Sequence, residues 1–104
     1  MSIIHNIVQE HFANPFLTNG DIARMANMSE RQLYRFMEET EGISPNRYLR
    51  ECRLDRAVEM LHSGNYDTVK EVALRVGFRK VSYFTDIYAA REGERPSSVL
   101  RQHR

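Results

Sequence analysis

The stretch Asp21–Phe36, DIARMANMSERQLYRF, reads as a short helix, a tight turn and a second helix. The stretch Glu71–Ile87, EVALRVGFRKVSYFTDI, reads the same way. Asp21-Ile22-Ala23 matches Glu71-Val72-Ala73 at an offset of 50, and Asn27-Met28 matches Gly77-Phe78 in the same register. After one inserted residue the offset becomes 51. Leu33 then pairs with Phe84, Phe36 with Ile87, Met37 with Tyr88, Gly42 with Gly93, Pro45 with Pro96 and Leu49 with Leu100. Two copies are too few for a solenoid, which needs about three to bury a continuous core. Asn27 and Gly77 stand at the turns, where both residue types tolerate a positive φ. Met28 and Phe78 follow and can plug the angle between the helices. This is the helix-turn-helix layout, repeated.

Outward from these copies the 3.6-residue period continues and no stretch alternates with period two, so the fold class is all-α with about seven helices. Ile3, Ile4, Ile7, Val8, His11 and Phe12 form a stripe that Asn14-Pro15 stops. Thr18 with Asp21 starts a helix over 19–26, and Ser29-x-x-Gln32 is a capping box that opens another, closed by Gly42. Ser44-Pro45 begins a long helix running to Gly64. Thr68-x-x-Glu71 is a further capping box, and Arg95-Pro96 starts the last helix. The chain divides into residues 1–44 (N-terminal helix and first helix-turn-helix), 45–64 (linking helix) and 65–104 (second helix-turn-helix and C-terminal helix). On the linking helix Tyr48, Leu49 and Cys52 share one side of the first half. Leu54, Ala57, Val58 and Leu61 lie nearly opposite in the second half, so the helix is expected to serve two cores. Its length of about 28 Å compares with about 34 Å between successive major-groove faces on one side of B-DNA.

A length of 104 residues fits one small module, and 28% charged against 41% hydrophobic residues gives a core without a membrane span. The formal net charge is only +1. Thirteen of the fifteen basic residues are Arg, and the excess is uneven: five basic against seven acidic in residues 1–52, ten against seven in 53–104. One cysteine excludes an internal disulfide and, with no signal-peptide pattern, points to the cytoplasm.

Counted at 100° per residue, Leu33, Phe36, Met37 and Thr40 face inward on the second helix of the first copy. Arg31, Arg35 and Glu38 face outward with Tyr34 at their flank. In the second copy Phe84, Ile87 and Tyr88 face inward and Ser82, Thr85 and Asp86 outward. Arginine suits a bidentate contact with guanine O6 and N7, and Tyr34 can stack, meet a thymine methyl or bond a phosphate. The plain alternative is a solvated face, with Glu38 and Glu39 neutralising Arg35. The in-register repeat favours the first reading.

Ser29-Glu-Arg-Gln-Leu33-Tyr-Arg35-Phe36, Gly42-x-x-Pro45-x-x-Tyr48, Val76-Gly77-Phe78 before Ser82-Tyr83-Phe84, and Gly93-x-x-Pro96 together resemble the DNA-binding domain of AraC/XylS-type bacterial transcription regulators. The match spans roughly residues 17–100. The resemblance implies a seven-helix fold with two helix-turn-helix subdomains bridged by a long helix, binding to double-stranded promoter DNA and contact with RNA polymerase. Carried over by position, base reading falls on Arg31, Tyr34 and Arg35, and on Val81, Ser82 and Asp86. Ser29, Arg79, Lys80 and Thr85 are the candidate phosphate contacts. Asp86 departs from the family's usual Arg, and Ala89 and Ala90 replace basic residues, so the first unit is expected to carry most direct readout. A sensory or receiver domain, common before this module, is absent from residues 1–16, which supply one amphipathic helix. A stand-alone member and a portion of a longer regulator both fit.

Other chemistry finds little support. Cys52 reads as buried filler, and Met25, Met28, Met37 and Met60 as core. His5, His11, His62 and His103 lack metal-ligand spacing, no glycine loop cradles a phosphate, and no acid, base and nucleophile set appears, so no cofactor, metal or enzyme is expected. The competing class is a helical interaction module whose Arg faces bind an acidic protein, favoured by the near-neutral total charge.

Overall fold

Seven helices form and no strand does in the computed structural model, which describes residues 1–104. They are α1 (Ser2–His11), α2 (Asn19–Met25), α3 (Glu30–Glu41), α4 (Pro45–Ser63), α5 (Val69–Arg75), α6 (Val81–Glu92) and α7 (Pro96–His103). Their ends follow local chemistry. Thr18 and Asp21, and again Ser29 and Gln32, bond reciprocally as capping boxes at the heads of α2 and α3. The Ser44 hydroxyl accepts the Arg47 N–H above the N1 proline of α4. Gly42, Gly64 and Gly93 close α3, α4 and α6 in the left-handed conformation.

Both turns close alike. The N–H of Met28 reaches the Ala23 carbonyl (2.8 Å) and that of Phe78 the Ala73 carbonyl (2.9 Å), the long bond of a Schellman motif. Asn27 (φ 61°) and Gly77 (φ 101°) are the positive-φ residues that make this possible. The inserted residue of the second copy lies in its turn, since α3 begins two residues after Met28 and α6 three after Phe78.

Two apolar cores lie at opposite ends of α4. The first gathers Ile4, Val8, Leu17, Ile22, Ala23, Leu33, Met37 and Leu49, with Tyr48 and Cys52 against it. The second gathers twelve residues, including Leu54, Ala57, Met60 and Leu61 from α4 and Phe84 and Tyr88 from α6. The face switch along α4 therefore works as expected. Phe12 packs against both cores. From α6, Arg91 donates to Glu51 and Asp55 of α4 at 2.7 Å each and latches the second unit to it. The molecule is elongated, with principal extents of 42 × 22 × 22 Å. No helix is long and apolar enough to cross a membrane.

Five expectations differ. Helix α2 stops at Met25, one residue before the expected 26. Ile3 is exposed, because α1 seats only Ile4 and Val8 fully in the core. Met25 is 47% exposed rather than core, since only Ile22 and Ala23 of α2 are buried. Thr40 turns to solvent and its hydroxyl donates to the Phe36 carbonyl, a common resort of mid-helix threonine. The second threonine box is half formed. Thr68 accepts the Glu71 N–H, but the Glu71 carboxylate turns to Arg75 at 3.5 Å instead of returning to Thr68.

Candidate nucleic-acid interface

Leu33 and Met37 are fully buried and Phe36 is half-buried, which fixes the rotation of α3 about its axis. Arg31, Tyr34 and Arg35 consequently stand in solvent, Tyr34 at 44% exposure. Glu38 and Glu39 do not neutralise Arg35, and neither Arg31 nor Arg35 enters any ion pair. Ser29 sits at the head of this face. Its oxygen accepts the Gln32 N–H (3.1 Å), which leaves its proton free for an outside acceptor.

The second unit is built on the same plan with different chemistry. Phe84 and Tyr88 are buried, and Ser82 and Asp86 are exposed. Thr85 is half-buried. Val81 is half-buried too and packs against the second core, which leaves it only an edge to offer. In the register of Ser29 stands Lys80, the N-cap of α6, which makes no side-chain cap bond. A cation there faces the positive end of the helix dipole and leaves the first N–H groups without a partner. Arg95 heads α7 in the same way, without a side-chain cap bond. Arg79 lies over the ring of Phe16, 4.9 Å from its centroid. Asp86 has no cationic partner.

Between the units lies a cleft of about 910 Å³. Arg47 and Arg50 of α4 form one wall and Arg79, Lys80 and Tyr83 the other, and no carboxylate lines it. None of these four cations is ion-paired, whereas Arg24, Arg56, Arg75 and Arg91 each bond a carboxylate. Arg53, at the inner wall, spends its guanidinium on the carbonyls of Phe12 and Asn14. Burial lowers its pKa, but an arginine so shifted still keeps its charge. Paired charges gather around Arg91, whereas the four cleft cations and the two arginines of α3 enter no ion pair.

Two parts of this surface escaped the reading by faces. Arg47-x-x-Arg50-x-x-Arg53 was legible as a row at spacing three, but only the fold shows that it borders a cleft. Tyr83 is 46% exposed and meets Phe78 edge-on with centroids 6.1 Å apart. Its register partner Gln32 is occupied with capping, which gave no cue.

A family model described as a helix-turn-helix domain matches residues 22–102. The XylDLEGF operon transcriptional activator of Pseudomonas putida is 36% identical over 83 residues, covering 78% of this chain and 26% of that protein. Transcriptional activator RhrA of Rhizobium meliloti (strain 1021) is 30% identical over 102 residues, 97% of this chain and 32% of that protein. The chain thus spans about a quarter to a third of the length of these two relatives. Among solved structures, the DNA-binding domain of AdpA in complex with a target DNA superimposes with a TM-score of 0.88 at 25% identity, covering 99% of this chain and 91% of that one. The C-terminal domain of AraT, a response regulator from Geobacillus stearothermophilus, gives 0.86 at 28% identity, covering 98% and 86%.

Proposed function

From the premise that this chain belongs to the AraC/XylS type of helix-turn-helix DNA-binding domains, we propose that it binds duplex promoter DNA with α3 and α6 in successive major grooves. The unpaired arginines of α3, together with a cleft of unpaired cations between the units, carry this reading. In it Arg31, Tyr34 and Arg35 read bases. Ser82, Asp86 and the exposed edge of Val81 read a second, weaker site, because a carboxylate accepts from cytosine N4 but is repelled by nearby phosphates. Ser29, Arg79, Lys80 and Thr85 hold phosphates, joined by Arg47 and Arg50 from α4.

Relatives named as transcriptional activators extend the proposal to promoter regulation in a bacterial cytoplasm, with RNA polymerase met on faces that DNA leaves free. A sensory or receiver region is proposed as a partner on the same ground, the AraT match being the C-terminal domain of a response regulator.

An acidic protein would also suit the arginines, and a salt titration separates the two. Log affinity for duplex DNA should fall linearly with log salt, with a slope near −0.9 for each neutralised phosphate. Lys80→Ala should reduce that slope by about one and weaken all duplexes alike. Lys80→Ser should do the same while stabilising the fold by roughly 0.5–1 kcal/mol through a restored cap. Salt-independent binding to duplexes, or an unchanged slope without Lys80, would contradict the proposal.

A further inference from the structure

The two units pack on α4, and the loop between α1 and α2 is the segment that crosses from one to the other. Arg53 Nε donates to the Phe12 carbonyl and Nη2 to the Asn14 carbonyl, both at 2.8 Å. The same guanidinium stands 5.8 Å from the centroid of Phe78, the apolar plug of the second turn. One side chain therefore touches the first unit's loop and the second unit's turn. Phe12 itself packs against both cores. At Gly77 the loop comes so close that an added Cβ would lie 2.5 Å from the Phe12 oxygen and 2.8 Å from Arg53 Nε. Farther along, Phe16 leaves 66% of its surface exposed and offers its ring to Arg79, just before α6.

The repeat shows what this contact is for. Asn27 and Gly77 occupy the same place in their turns and both take a positive φ. Nothing seals the first turn, whereas the second is covered by another unit's backbone, and there the residue is glycine. Arg53 has no carboxylate partner either, although α4 carries several. A half-buried arginine that bonds two carbonyls in a planar fork fixes a direction as well as a distance.

We infer that Arg53, closing on the Phe12–Phe16 loop, is the positioning residue that sets the angle and separation of α3 and α6, and so the half-site spacing the protein accepts. It acts through the loop and the Gly77 turn and touches no DNA. The inference about geometry stands by itself. The part about spacing rests on the reading of α3 and α6 as DNA-reading helices.

The test has one arm for each part. Nitroxides at Glu39→Cys and Ala90→Cys, in a Cys52→Ser background, report the α3-to-α6 distance by pulsed dipolar spectroscopy. Arg53→Gln should broaden that distribution about twofold, since interface-held elements lose a defined arrangement when their contacts go. Arg53→Lys should recover part of the sharpness by reaching one carbonyl. Phe16→Ala, at an exposed site where folding is not at risk, should broaden it less. A distribution as sharp in Arg53→Gln as in the unaltered chain overturns the clasp, whatever the DNA result.

The second arm uses the duplex recovered by selection from a random pool, with one base pair inserted or deleted between its half-sites. Each change turns one half-site by about a tenth of a helical turn. The unaltered chain should lose about tenfold in affinity, comparable with one mismatched base pair, and Arg53→Gln clearly less. An equal loss in both proteins overturns the role in spacing. Failure of the unaltered chain to select any duplex would instead count against the DNA reading.

Discussion

Gly77→Ala should cost about 2–5 kcal/mol of folding stability. Two causes add. A Cβ at φ 101° meets the backbone sterics that keep L residues out of this region, a penalty of roughly 1–2 kcal/mol. That Cβ would also lie 2.5 Å from the Phe12 oxygen and 2.8 Å from Arg53 Nε. Something must move, and what moves is the loop or the guanidinium, with loss of at least one hydrogen bond worth about 1–3 kcal/mol when a buried partner is stranded. Asn27→Ala is the internal control. Its φ is also positive at 61°, but the first turn is not sealed by another unit, so its cost should stay near 1 kcal/mol. Chemical denaturation of both variants reads the difference directly. Equal losses would mean that the loop does not press on the second turn, and the crowding account would fail.

The second large effect concerns recognition and should leave stability alone. Arg35→Ala removes an exposed, unpaired guanidinium from α3, so its folded state should be nearly unchanged. Binding should fall by about 1–3 kcal/mol on the preferred duplex, and preference should relax at one base pair. Measuring affinity against the four base pairs at each position of the site separates this from a lost phosphate contact. The contrast with Lys80→Ala matters most: one mutant loses discrimination, the other loses affinity evenly. Sequence-blind loss in both would move Arg35 from the base-reading set to the backbone-holding set.

How far the sequence anticipated all this follows from where the information lies. Helix ends were legible because their chemistry is local. Thr18, Ser29 and Ser44 act within three residues, and Gly42, Gly64 and Gly93 within one turn. The face switch on α4 was legible because periodicity alone separates Leu49 from Leu54 and Leu61. Ile3, Met25 and Thr40 were misplaced for one common reason. A helical stripe says which residues share a side, and only packing says how wide the buried strip is. Glu71 was misassigned because two partners competed and Arg75, four residues on, took it.

The cleft lay beyond periodic reading altogether. It exists because residues 12–17 fold back over the second turn, a contact between segments some sixty residues apart. The arginine row on α4 was visible, but its partners across the gap, Arg79 and Lys80, are joined to it only by that fold. Lys80 stands where the offset of 51 places the cap Ser29, so the missing side-chain cap at the head of α6 could have been found by counting along the repeat.

The claim on which the rest depends is that one chain places two helices in neighbouring grooves of one duplex. A hydroxyl-radical footprint on the selected duplex, taken at protein concentrations where the chain is monomeric by sedimentation, tests it most directly. Two protected segments on the same face, about 10 base pairs apart from centre to centre, are expected. Protection of a single groove segment by the monomer, with the second appearing only when two chains are bound, would contradict the account.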